Sequence, residues 1–157
     1  MGSSSYSYEV VSSAFNEDFY EQCVIEHMVE ELGYTHLYGP DVPRTSEEYR
    51  DVFLPGILED SLARINRRLP AAAIDEAILK IQNIEGGTLE QRNETFNDYL
   101  QSGVEVHFFD GKRERDDIVR LLDFNDPENN NFHVVNQWTF VEYSEKRPDV
   151  IAFVNGM

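Results

Sequence analysis

The chain has 157 residues, 41% of them apolar and including ten Phe and eight Tyr, which suits one folded domain and excludes a disordered acidic segment. Thirty Asp and Glu against thirteen Lys and Arg give a formal charge of -17, a sign that opposes unaided binding to a phosphate backbone and points to a module that borrows a basic groove from other domains. The single cysteine, Cys23, excludes an internal disulfide and a cysteine-rich zinc site, and neither a signal-peptide pattern nor a membrane-length apolar run is present, so a cytoplasmic location is expected.

In chain order, residues 1–14 are serine-rich with little periodicity and read as an amino-terminal arm, in which Tyr8 to Val11 could dock as a short strand. From Asp18 to Leu32, Val24, Ile25, Met28, Val29 and Leu32 recur at helical spacing. Asp18 with Glu21 resembles a capping box and Gly33 supplies the stop. Tyr34 to Tyr38 predicts a short strand ending at Gly39-Pro40. Thr45 with Glu48 forms an N-cap pair, and Asp51 to Ile84 is helical in pattern. Leu58, Leu62, Ile65 and Leu69 make one stripe there, Ile74, Ile78 and Ile81 another, and Pro70 splits the run. Thr88 with Gln91 opens a further helix, with Leu89, Phe96 and Leu100 inward and Gly103 at its end. Residues from about 45 to 103 thus read as an inserted helical block.

After Gly103 the period changes to two. Val104, Val106 and Phe108 alternate with Glu105, His107 and Phe109 before a turn at Asp110-Gly111. Asp117 to Phe124 and Phe132 to Tyr143 read as strands separated by the turn-rich stretch Asn125 to Asn131. Val150 to Val154 is the last strand, and five apolar residues in a row suggest burial on both faces, as in the middle of a sheet. The expected fold is α+β: a mixed, mostly antiparallel sheet of about four to five strands over residues 104–157 and the earlier short strand, with the helical block inserted.

Asp149 is launched by Arg147-Pro148 into that apolar strand. Its carboxylate is expected at the rim of the sheet, partly desolvated and close to a guanidinium, where a rigid oxygen ligand suits a hard cation such as Mg2+; an ordinary turn aspartate is the competing reading. Glu21 lies near the apolar stripe of the first helix and could point to a sheet edge, or simply cap the helix; Glu17, Glu26, Glu30 and Glu31 read as a solvated face. His27, His107 and His133 have no metal-ligand spacing, Cys23 reads as a small core residue, and Gly86-Gly87 lacks the lysine and hydroxyl residue of a phosphate loop. Arg64, Arg67 and Arg68, with Arg44 and Arg50, are the only basic bias. They could track phosphates, but pairing with Glu59 and Asp60 is the simpler expectation.

Several segments taken in order carry a resemblance. They are Glu21-Gln22 in a helix ending Leu32-Gly33-Tyr34, Tyr38-Gly39-Pro40-Asp41, and Arg64-Ile65-Asn66 through Leu69-Pro70. Asn93-Glu94-Thr95-Phe96 with Gly103-Val104, and Asp123-Phe124 through Asn130-Asn131-Phe132, continue the series. Val134-Val135-Asn136-Gln137 and Arg147-Pro148-Asp149 through Phe153-Val154-Asn155-Gly156 complete it. From about Phe15 onward the set resembles the amino-terminal part of the restriction (R) subunit of type I restriction enzymes.

The resemblance implies a Mg2+-dependent endonuclease domain of the PD…(D/E)xK type, followed by two motor domains that hydrolyse ATP and translocate DNA, and partnership with modification and specificity subunits. Pro148-Asp149 matches the PD half-motif, making Asp149 a Mg2+ ligand. Glu21 matches the helix glutamate that such sites often add, with Glu17 and Glu26 competing for the role, and sharing one metal requires the two carboxyl groups to lie within about 5 Å. The (D/E)xK pair belongs to the strand after Val150–Val154 and is not among these residues, so the core is expected to be incomplete and the fragment unable to cut DNA or hydrolyse ATP. Two other expectations stand beside this one: a non-enzymatic acidic interaction or DNA-mimic module, and self-association through the strand at 150–154.

Overall fold

A computed structural model describes residues 16–45, 52–141 and 144–157. The arm at 1–14 and the Glu48 half of the Thr45 pair lie outside them. The first helix, α1, spans Glu17–Glu30, and its cap is Asn16, whose Oδ1 accepts the Phe19 N–H at 2.9 Å, rather than the expected Asp18–Glu21 box. A side-chain acceptor just before the first turn satisfies an orphan backbone donor earlier than Asp18 could. At the other end the Tyr34 N–H reaches the Met28 carbonyl across Gly33, whose φ of 72° suits glycine. Only Ile25 of α1 is buried. Val24, Val29, Leu32 and Cys23 are exposed, contrary to the expected apolar stripe and core cysteine, because α1 meets strands β1 (Thr35–Tyr38) and β4 (Phe132–Asn136) along a narrow line.

Helix α2 is Ile57–Ile65, not a run from Asp51. Pro55 has no N–H to donate and Gly56 takes φ 76°, so the helix starts only after them. Helix α3 is Ala71–Gln82 and starts after Pro70 as expected, although α2 has already ended at Ile65, and α4 is Leu89–Ser102 with the Thr88–Gln91 capping box formed. Leu89 is nevertheless exposed, because it sits in the first turn before α4 meets the core, whereas Phe96 and Leu100 are half-buried against it. Leu58 and Leu62 of α2 and Ile74, Ile78 and Ile81 of α3 pack on Val104, Val106, Phe108, Val119 and Leu121. Each fully buried leucine here contributes about 2 kcal/mol of transfer free energy.

The chain is α+β, as expected, but among the described residues its strands form three small sheets instead of one of four to five strands. Strands β2 (Val104–Phe109) and β3 (Glu114–Val119) make an antiparallel hairpin. Asp110 Oδ1 accepts the Lys112 and Arg113 amides in its turn, which starts β3 three residues earlier than the expected Asp117 and leaves Arg120 to Phe124 as loop. Strand β4 lies between β1, to which it is parallel, and β7 (Val150–Val154), to which it is antiparallel. The expected strand from Phe132 to Tyr143 breaks at Gln137, which adopts a left-handed φ of 55°; beyond it β5 (Phe140–Val141) pairs with β6 (Glu145–Lys146). β7 has the expected bounds but, among the described residues, stands at the edge of its sheet, with Ala152 exposed, and β4 occupies the middle. A second core of Leu54, Val135, Trp138 and Phe153 closes one face of this sheet, with Trp138 edge-on to Phe153.

Candidate active site

Because β1 and β4 are parallel, both finish at the same end of the sheet, with Tyr38 in register with Asn136. β7 runs the other way and begins there, Val150 opposite Asn136. The chain leaves β4 through Gln137, whose N–H donates to the Asp149 carbonyl at 3.2 Å. Gly39 packs against this turn so closely that a Cβ would lie 2.5 Å from the Gln137 carbonyl oxygen, which only glycine permits.

Helix α1 crosses this end and presents Glu21, half-buried. Its Oε1 accepts the Asn136 Nδ2 at 2.7 Å and its Oε2 accepts the Gln137 Nε2 at 3.3 Å. The Asn136 Oδ1 meets His36 Nε2 at 2.8 Å. One residue, Gln137, is therefore bonded to both sequence-derived candidates: to Glu21 through its side chain and to Asp149 through its backbone. Glu26 is exposed and accepts from Gln22 on its own helix, and Glu17 is exposed in the first turn.

Asp149 is exposed, not partly desolvated, and no ion pair with Arg147 forms among the described residues. It occupies a bend ahead of an edge strand, where water reaches the carboxylate freely. Among the described residues no group of three or more His, Cys, Asp or Glu could hold a metal ion. The oxygen chemistry of Glu21 and Asp149 nevertheless fits Mg2+, which favours hard donors and is commonly held by one or two carboxylates with its remaining positions filled by water and phosphate.

Elsewhere, exposed His107 pairs through Nδ1 with Asp116 at 2.6 Å and through Nε2 with Glu114 at 3.2 Å, and the Asp116 hydrogen bond raises its pKa. Desolvation lowers that of His133. The expected pairing of Arg64, Arg67 and Arg68 with Glu59 and Asp60 is not formed among the described residues, because α2 ends at Ile65 and Arg64 turns instead to the Asn129 carbonyl. The asparagine run, which reads as turn material, is a hydrogen-bonded hub. Asn130 holds both the N–H and carbonyl of Asp123, Asn131 reaches Ser61 Oγ, and buried Asn155 ties to both Asn130 and Asn131. Sequence reasoning also missed Asn136 and Gln137. The local signal was the step from Val134-Val135 to two consecutive amides, Asn136 at the end of β4 and Gln137 just past it.

An α+β domain with acidic side chains brought to one end of a mixed three-stranded sheet is the class that fold and site define. The chain belongs to the family described as type I restriction enzyme R protein N terminus (HSDR_N), whose profile matches residues 14–157. It is 31% identical over 149 residues to the type I restriction enzyme HindI endonuclease subunit of Haemophilus influenzae, a match covering 90% of this chain and 14% of that protein. It is 26% identical over 153 residues to the putative type I restriction enzyme MjaIXP endonuclease subunit of Methanocaldococcus jannaschii, covering 93% of this chain and 15% of the relative. The chain thus spans about a seventh of these relatives' length. No helix among the described residues is long and apolar enough to cross a membrane.

Proposed function

We propose that residues 15–157 form part of the endonuclease domain of a type I restriction enzyme R subunit, with 45–103 as its helical insertion. In the whole enzyme this domain cleaves double-stranded DNA with Mg2+, coupled to translocation by ATP-hydrolysing motor domains outside these residues and to modification and specificity subunits, in the cytoplasm. Asp149 and Glu21 are the residues that would hold the ion. When bound, Mg2+ supplies Lewis acidity toward a phosphoryl oxygen and makes an attached water more acidic. The chain's own part is positioning: Gln137 and Asn136 fix the Glu21 carboxylate, and the Gln137 backbone fixes the strand entry that carries Asp149. After Asp149, residues 150–157 contain no acidic residue or lysine, so the (D/E)xK half of the restriction-endonuclease-like core is not within this segment.

The observation that carries this reading is the double attachment of Gln137, within a chain matched to the family over nearly its whole length. Substoichiometric Mn2+ added to the isotope-labelled chain tests it by paramagnetic broadening. The amides of Glu21, Gln137, Asp149 and Val150 should broaden first, and Asp149→Asn should abolish the effect. Broadening spread over other acidic surfaces, with these four amides sharp, would overturn the assignment.

A further inference from the structure

We infer that the cleft between the end of α2 and the end of β3 is a contact site for the phosphate backbone of nucleic acid. Four of the chain's thirteen Lys and Arg residues, Arg64, Arg67, Arg68 and Arg120, line this one cavity of about 640 Å³ in a molecule of net charge -17. Sequence order does not explain the gathering, since Arg120 is more than fifty residues from the others. Asn66, nearly fully buried, makes it. Its Nδ2 donates to the Leu62 carbonyl at 2.9 Å, closing α2, and to the Arg120 carbonyl at 2.8 Å, while its Oδ1 accepts the Arg120 N–H at 2.9 Å. This suture sets Arg120 beside the turn that carries Arg67 and Arg68.

Two of the four guanidinium groups are held in place by side-chain hydrogen bonds. Arg64 donates Nε and Nη2 to the Asn129 carbonyl, and Arg67 donates Nε to the Arg64 carbonyl, so both are held by neutral acceptors with further N–H groups to spare. None of the four forms an ion pair among the described residues. Asp117 and Asp126 also line the cleft and the Asp123 carboxylate interacts with the Arg120 charge, so the four arginines outnumber the nearby carboxylates by one. Four arginines lining one open cleft suit phosphate oxygens, which guanidinium groups bind bidentately. The cleft includes Asn129, ahead of β4, whereas Glu21 and Asp149 lie beyond its far end. A five-residue strand, roughly 17 Å, separates the two regions, so the cleft would engage a phosphate some five steps along a strand, at about 3.4 Å of axis each, from one at the carboxylates. The choice of duplex DNA as ligand rests on the nuclease reading above.

The test follows arginine Nε–Hε resonances of the full chain at low salt as short duplex DNA is added. The resonances of Arg68 and Arg120 should shift saturably. Arg68→Glu with Arg120→Glu should weaken the apparent affinity at least about tenfold and reduce the salt slope by about 1 per arginine removed. The milder Arg68→Gln, at an exposed side chain, provides a second reading if the double variant loses its native spectrum. Three results would overturn the inference: no movement of Arg68 and Arg120, equal shifts with inorganic phosphate at matched phosphate concentration, or equal shifts with polyglutamate. The Mn2+ experiment is read on the same sample. DNA shifts without Mn2+ broadening sink the metal site and leave the cleft standing, and the reverse sinks the cleft.

Discussion

Asn155 shows how much of this fold hangs on single polar side chains. It is fully buried at a left-handed φ of 54°, accepts the Asn131 N–H at 2.7 Å, and donates to the Leu121 carbonyl and to Asn130 Oδ1. A buried donor or acceptor left without its partner costs about 1–3 kcal/mol, and a β-carbon in the left-handed region adds about 1 kcal/mol unless the residue is asparagine or glycine. Asn155→Ala should therefore destabilise the chain by about 3–4 kcal/mol in urea unfolding. Asn155→Gly, which removes the same hydrogen bonds but tolerates the backbone, should cost about 1 kcal/mol less. Equal costs would locate the whole effect in the hydrogen bonds. Of the candidate site, Asp149 was legible because a proline followed by an acid before five apolar residues is a local pattern. Gln137 was not legible as its partner, because that role comes from a left-handed turn and a helix that arrives from more than a hundred residues earlier.

At the scale of elements, the same division separates what the sequence announces from what packing decides. The α4 capping box, the Pro70 break and the ends of β7 are written in adjacent residues and were recovered closely. The single sheet expected after Gly103 was not, because strand partners are chosen by tertiary contacts: β4 pairs with a strand almost a hundred residues upstream and breaks at Gln137, while among the described residues β2 and β3 pair only with each other. That hairpin has its own pH signature. His107 is raised from its ordinary value of 6.5, first by the Asp116 hydrogen bond and then, against a desolvation opposing it, by the Asp116 and Glu114 charges. Since the folded value is the higher one, its stabilising contribution is complete below the unfolded pKa and is lost as pH rises through the folded pKa. A histidine titration followed by NMR should give a His107 midpoint above 6.5, with Asp116→Asn lowering it more than Glu114→Gln. A larger effect of Glu114→Gln would mean that charge, not the short hydrogen bond, sets the shift.

For the whole molecule, two properties oppose each other. Among the described residues no strand pairs with the outer edge of β7, and an unpaired edge of apolar residues is a template for a second copy. Against this stands the charge of -17, which each approaching copy must overcome, with only Lys80–Glu76, two His107 contacts and Arg115–Asp110 as ion pairs among the described residues. Repulsion between like-charged surfaces is screened beyond a Debye length of about 10 Å at 0.1 M salt and about 3 Å at 1 M, whereas backbone pairing and apolar contact survive screening. Salt should therefore decide the outcome, and in the direction opposite to its effect on an interface made of ion pairs. Sedimentation velocity over a concentration series should find monomer in dilute buffer and a growing dimer fraction as sodium chloride rises toward 1 M. Ala152→Lys, which places a charge at an exposed position of the edge strand without touching the buried Phe153 beside it, should return the chain to monomer at every salt concentration. A monomer throughout, with or without the lysine, would show that the β7 edge does not recruit a second copy.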